Sequence, residues 1–237
     1  MKISAMMMAG FCLFVSSDLQ VQAVTLTVGT DSGADYSFSF PFSNTSNGGY
    51  ASEYQEVYNA NQFPGPLTIS ELTFFGSALQ TGALQDGTYQ IELSTTTQAV
   101  NALDANYLTN LTSTPTVFGT YTLSGQSIAA GQTLNFAAST PFLYTPANGN
   151  LLMTVLVTGA NPATGGAGFE EDASSGTVLS IQNDYQFSGN TFPGTGDYGL
   201  VTEFNANVVP EPSSLALAGL AGIGLIGSVC SRRRSKI

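Results

Sequence analysis

Between residues 24 and 208 short apolar-rich runs alternate with clusters of Gly, Pro, Asn, Asp and Ser, which is the pattern of strands and turns. Val24 to Gly29 and Tyr36 to Phe42 alternate weakly between apolar and polar positions. In Thr88-Tyr89-Gln90-Ile91-Glu92-Leu93, residues Tyr89, Ile91 and Leu93 share one face of a strand. The Asp86-Gly87 pair just before them is a tight-turn signal. Leu67 and Ile69 share a face, but Leu72 and Phe74 continue on the opposite parity. One extra residue between the two pairs, a β-bulge, brings all four back to one side. Val117 to Leu123, Thr177 to Ile181 and Tyr198 to Val208 predict further strands. Leu151 to Val157 is almost continuously apolar, so it predicts a central strand covered on both faces, with Asn148-Gly149 as the turn into it. Tyr50, Tyr54 and Tyr58 recur at an even spacing that aligns them on one strand face, where packing explains them better than an aromatic binding strip.

These runs predict about ten or eleven strands. No interior stretch has helical periodicity; Gln98 to Leu108 predicts a loop with one helical turn. The fold class that follows is all-β, an antiparallel β-sandwich of jelly-roll type over residues 24–208, with one core. No internal repeat or interior linker interrupts it. Asn205 to Pro212 reads as the spacer between this body and the C-terminal segment.

The two ends follow a different pattern. Lys2 precedes the uncharged, mostly apolar run Ile3 to Val15, and Val21-Gln22-Ala23 offers small residues for cleavage after Ala23. Residues 1–23 therefore read as a signal peptide. Phe11 is too bulky for the position before a lipid-modified Cys12. At the other end, sixteen uncharged residues, Leu215 to Cys230, are followed by Arg232, Arg233 and Arg234. As a helix the run spans roughly 24 Å, short of a ~30 Å hydrocarbon core. The expected single transmembrane helix, about 213–230, is thus marginal, and the arginines form a stop-transfer signal that keeps the C-terminus cytoplasmic.

Charge sharpens the contrast between ends and middle. The chain of 237 residues has 16 acidic and 5 basic residues, for a net charge of −11. All five cations, Lys2, Arg232, Arg233, Arg234 and Lys236, lie in the terminal segments. Fourteen carboxylates lie between Val24 and Val209 with no Lys or Arg among them, so no side-chain salt bridge can form inside the body. Such a surface repels phosphate polymers, which excludes nucleic acid as a partner. The two cysteines, Cys12 and Cys230, fall in the targeting segments, so no disulfide staples the body.

The chain has no His, and the body has no Cys or Lys. Ser-His-Asp, Cys-His and Ser-Lys nucleophiles and a His- or Cys-ligated zinc are therefore excluded, and so is a phosphate-clamping loop. The expectation is a protein that is not an enzyme and has no catalytic residues. One common enzyme class remains open, a glycoside hydrolase working through two carboxylates, for which Asp31/Asp35 and Glu53/Glu56 supply acids. No cofactor is expected. Weak calcium candidates are Glu170, Glu171 and Asp172 after the Gly165-Gly166-Ala167-Gly168 turn, without EF-hand spacing, and a solvated acidic loop is the simpler reading. Asn44-Thr45-Ser46 and Asn110-Leu111-Thr112 fit the N-glycosylation pattern, which chance also produces.

Val209-Pro210-Glu211-Pro212-Ser213, the apolar run and the arginine cluster resemble, in order and spacing, the PEP-CTERM sorting signal of exopolysaccharide-producing Gram-negative bacteria. The resemblance implies an exported protein, held in the inner membrane by its C-terminal helix. A membrane-embedded exosortase would then process it near the Pro-Glu-Pro motif and pass it to the cell surface or extracellular matrix. The segments Tyr54 to Tyr58, Ile69 to Phe75, Leu93 to Thr96 and Pro141 to Leu152 resemble an exported sandwich module carried by such proteins. That likeness brings no activity with it. The function expected is structural or adhesive, within the exopolysaccharide of a biofilm; a carbohydrate- or calcium-binding module is the alternative.

Overall fold

The computed structural model describes residues 22–30, 37–44, 48–161, 163–172 and 176–209. Their fourteen strands are β1 (Gln22–Val28), β2 (Ser37–Phe38), β3 (Tyr50–Tyr58), β4 (Leu67–Phe75), β5 (Gly82–Ala83), β6 (Gly87–Thr96), β7 (Thr116–Leu123), β8 (Ser127–Ile128), β9 (Thr133–Tyr144), β10 (Asn150–Thr158), β11 (Phe169–Glu170), β12 (Leu179–Phe187), β13 (Asn190–Gly196) and β14 (Thr202–Val208). Ten of them have seven or more residues, and four are two-residue pairings. The one α-helical turn, α1 (Tyr107–Asn110), lies at the end of the loop predicted to hold it.

A four-stranded sheet, β1-β14-β4-β9, and a six-stranded sheet, β13-β12-β3-β10-β6-β7, share one hydrophobic core. Every pairing between these strands is antiparallel. Tyr58 of the larger sheet meets Phe204 of the smaller edge to face, with ring centroids 5.0 Å apart. Phe42, on the loop after β2, is buried between the layers. Its ring lies 4.9 Å from Phe74 and 5.0 Å from Phe136 of the smaller sheet, 5.6 Å from Tyr89 of the larger, and 5.7 Å from Phe169. Offset and edge contacts of this kind add to area burial.

The bulge predicted in β4 is present. The register against β9 shifts between Ile69 and Glu71, so Ser70 and Glu71 both turn outward and Leu67, Ile69, Leu72 and Phe74 are all fully buried. The central strand is β10, flanked by β3 and β6. Leu151, Met153, Val155 and Val157 of β10 face the main core. On its other face Leu152 joins a smaller cluster with Val57 and Leu103, covered by the loop between β6 and β7. Some polar groups there bond across the sheet: Gln55 Nε2 donates to Thr154 Oγ1 at 3.1 Å, and Asn110 Nδ2 donates to Gln55 Oε1 at 2.8 Å.

Some predicted boundaries need correction. Of the run Tyr36 to Phe42, residues 37–42 are described and do not form one strand, because Pro41 has no N–H for a ladder and sits in a turn; among them only Ser37–Phe38 pairs. Strands β12 and β14 begin at Leu179 and Thr202 rather than at Thr177 and Tyr198. Asn205 to Val208 belongs to β14, so the first four of the eight residues expected as a spacer over Asn205 to Pro212 are instead paired strand, and Pro210 to Pro212 lie outside the described residues. The longest strand, β9, has no clean alternation because its register against β4 jumps from Ala137 to Phe142. The predicted helix at 213–230 lies outside the described residues. Among the described residues no helix is long and apolar enough to cross a membrane.

With five aromatic rings meeting at its centre, the core is expected to fail first at Phe42. Phe42→Ala is predicted to lower the unfolding free energy by about 3–5 kcal/mol, read from the shift of the urea midpoint. A loss below about 1 kcal/mol would show that the two layers do not depend on this ring.

Candidate functional site

Strand β3 carries two of the acids singled out from sequence, Glu53 and Glu56. They are three residues apart, and strand side chains alternate, so they project to opposite faces. They cannot act as a carboxylate pair on one substrate. Asp31 and Asp35 lie outside the described residues.

Glu56 points into the core with Tyr54 and Tyr58, and all three are fully buried. The Tyr54 hydroxyl donates to Glu56 Oε2 at 2.7 Å. The Tyr58 hydroxyl lies 3.0 Å from Thr202 Oγ1, whose own proton goes to the Leu200 carbonyl at 3.1 Å. Glu56 Oε1 has no hydrogen-bond partner among the described residues and abuts Gly199, where a β-carbon would come within 2.6 Å of it. Burial pushes the Glu56 carboxyl up to about 8. The two tyrosine hydroxyls and the Leu200 backbone favour the ionised form, nearby Asp172 opposes it, and burial outweighs the rest. Both tyrosines are held well above the usual phenol range, mainly by burial and then by the Glu56 charge.

Glu53 is buried on the outer face, directly opposite Asp184 of β12. Burial, then the Asp184 charge, raises its carboxyl to about 8. Around it run amides rather than cations: Gln182 Nε2 donates to the Ala105 carbonyl at 3.1 Å and to Asp184 Oδ1 at 3.4 Å.

The calcium candidates form one extended segment rather than a ligand shell. Glu170 belongs to β11, and Glu171 bridges Leu200 and is half-buried. Asp172 is buried, and its Oδ1 accepts from the Thr30 N–H at 2.7 Å. Burial raises the Glu171 carboxyl, helped by Asp172 and Asp197. Among the described residues no three His, Cys, Asp or Glu side chains converge to hold a metal ion. Asn44 and Asn110 of the two glycosylation patterns are both buried, and Asn110 serves the network under the β6–β7 loop. Tyr54 and Tyr58 are core residues, but the three tyrosines do not share one face as their spacing predicts: the register shift opposite Asp184 and Tyr185 turns Ala51 into the core, and Tyr50 pairs with Gln186 on the other face, half-buried beside a cleft.

One surface feature escaped the sequence reading. Phe187 and Phe192 are 37% and 51% exposed on the β12–β13 hairpin, beside Tyr185. Strand β13 reads Asn-Thr-Phe-Pro-Gly-Thr-Gly, a sequence tolerated only at a sheet edge, so the pattern gave no strand there to place Phe192 on.

The first and last described strands meet. Ala23, the predicted cleavage residue, lies exposed in β1 and pairs with Asn207; Gln22 pairs with Val208. Cleavage after Ala23 would remove two residues of the seven-residue strand. Val209 is still tied to the body, its N–H donating to the Pro66 carbonyl at 3.0 Å. Pro210, Glu211, Pro212, Ser213 and Arg232, Arg233 and Arg234 lie outside the described residues.

The buried acids predict how stability depends on pH. Folded Glu56 keeps its proton up to about pH 8, whereas the unfolded chain loses it near 4.5. Between those values the folded state holds more protons, so its stability falls as pH rises. The slope is at most about 1.4 kcal/mol per pH unit for this group. Glu53 adds to it in the same direction. Urea midpoints should therefore be higher at pH 5 than at pH 8. Glu56→Gln, which cannot ionise, should flatten the profile and surpass the native chain at pH 8; an unchanged slope in this variant would contradict the assignment.

Residues 208–234 match the family model of the PEP-CTERM protein-sorting motif. Comparison with curated proteins and with solved structures finds no match. The matched residues are the segment read from the sequence as a sorting tail, and they begin on the last residue of β14. The chain is therefore a PEP-CTERM sorting domain-containing protein, exported and sorted by exosortase.

Proposed function

We propose that this protein is a non-enzymatic structural or adhesive component of the cell surface or extracellular matrix, anchored in the membrane by its tail only until exosortase processes it. The sorting motif, joined without a spacer to β14, carries the reading. Such a tail commits the whole body to the outside, where stability without cofactors or cytosolic upkeep is the first requirement. The body supports a non-catalytic role in two ways. It lacks the cations and imidazoles that most active sites use, and its β3 acids are divided between two faces. The helix over 213–230, cytoplasmic Arg232 to Arg234 and contact with exopolysaccharide belong to the same proposal. A glycoside hydrolase is disfavoured, and no observation favours calcium.

Deletion of residues 209–237 tests the anchor. The native chain is expected in the envelope fraction and then at the surface. The deletion variant should appear free in the medium or periplasm. Intact mass of the recovered native protein should show loss of residues 1–23 and a trimmed end near Glu211. An unaltered distribution of the truncated chain would overturn the proposal.

A further inference from the structure

The outer face of the large sheet holds a pocket of hydrogen-bond acceptors. Glu53 of β3 and Asp184 of β12 stand directly opposite each other in the register. Gln55 and Gln182 form the pair two residues along, and so lie on the same face. Glu53 is 6% exposed and Gln182 is fully buried, and the Oε1 atom of each has no hydrogen-bond partner among the described residues. The Gln182 amide reaches the acid pair, its Nε2 lying 3.4 Å from Asp184 Oδ1. Asp184 itself is half-buried and forms the solvent side of the pocket.

The donors nearby are committed elsewhere. Gln182 Nε2 also donates to the Ala105 carbonyl at 3.1 Å. Gln55 Nε2 donates to Thr154 Oγ1 at 3.1 Å and to the Tyr107 carbonyl at 3.3 Å. Ser52 Oγ donates to the Asp184 backbone carbonyl at 3.4 Å. The body has no Lys, Arg or His to turn toward the acids. Buried polar atoms are nearly always satisfied, so orphaned ones call for a group that completes them. One proton on Glu53 supplies one donor, whereas two carboxylates and an amide oxygen present at least three acceptors. A divalent ion matches that set. It offsets both negative charges, which are otherwise unfavourable directly across a sheet. Its shell of about six or more oxygens takes all three groups, with water completing it. Oxygen donors without nitrogen or sulfur select the hard ions over zinc or copper.

We propose that Glu53, Asp184 and the Gln182 amide oxygen form a binding site for one hard divalent cation, Mg²⁺ or Ca²⁺, which ties β12 to β3. The site goes beyond the sorting and matrix reading and does not depend on it. The full-length chain in mild detergent, stripped with EDTA and dialysed, would be titrated by calorimetry with MgCl₂ and, separately, with CaCl₂ at neutral pH. One ion per chain is expected for at least one of the two, with a Kd of roughly 0.1–1 mM. Saturation should raise the urea midpoint, and NaCl at matched ionic strength should not. Glu53→Gln and Asp184→Asn should each weaken binding about tenfold or more and abolish the rise in midpoint. Without metal, Glu53→Gln should be at least as stable as the native chain, because it removes one of two facing acids. If that variant does not fold, Asp184→Asn at the half-buried side carries the test. Glu203→Gln, on the outer face of the other sheet, should bind as the native chain does. Absence of binding for both ions up to about 10 mM would overturn the proposal and leave a proton as what neutralises the pair. So would native affinity in both pocket variants, or loss of binding in Glu171→Gln instead.

Discussion

A protein body with fourteen carboxylates and no cation has few ways to bury an acid. Ion pairing is closed to it, and an unpaired buried carboxylate is among the most unfavourable groups a core can hold. The remaining course is to keep the acid neutral, and strand β3 takes it twice, although one carboxyl oxygen of each acid has no hydrogen-bond partner among the described residues. Glu56 shares its proton-rich pocket with Tyr54, Tyr58 and Thr202, and Glu53 faces Asp184 among glutamines. Amides and hydroxyls thus do what salt bridges do elsewhere. The ladder Gln55–Thr154, Asn110–Gln55 and Gln182–Ala105 stitches the outer face of the large sheet to its covering loop without a formal positive charge.

Cohesion must then come from apolar burial, because the body also lacks disulfides. The rings supply it. Phe42 links Phe74 and Phe136 of one layer with Tyr89 of the other, and Phe63, Tyr144, Tyr58 and Phe204 form a second aromatic group between the layers. Tyrosine suits this chain because it adds apolar area and brings a donor for a carboxyl or a carbonyl. Tyr89 and Tyr144 each donate to a backbone carbonyl at 2.8 Å.

Much of this was legible in the sequence where side-chain parity alone decides the outcome. The bulge in β4 follows from Leu67/Ile69 against Leu72/Phe74, and the doubly covered β10 follows from its unbroken apolar run. Even spacing placed Tyr54 and Tyr58 in the core. What was not legible depends on partners distant in the chain. β9 hides its pattern behind an irregular register against β4, and β13 is a strand only because β12 templates it. The proximity of Glu56 to Asp172 is likewise a tertiary fact, joining residues far apart in sequence. The sorting tail was readable for the opposite reason: its recognition depends on linear order and not on packing.

The placement of β14 has a mechanical corollary. It lies between β1 and β4, paired to both along its length, and the tail leaves from its C-terminal end. Tension applied through that tail along the strand axis loads two hydrogen-bonded ladders in shear, so their bonds must yield together instead of opening one after another. A body attached this way resists drag at its tether far better than one hung from an edge strand that could be peeled off.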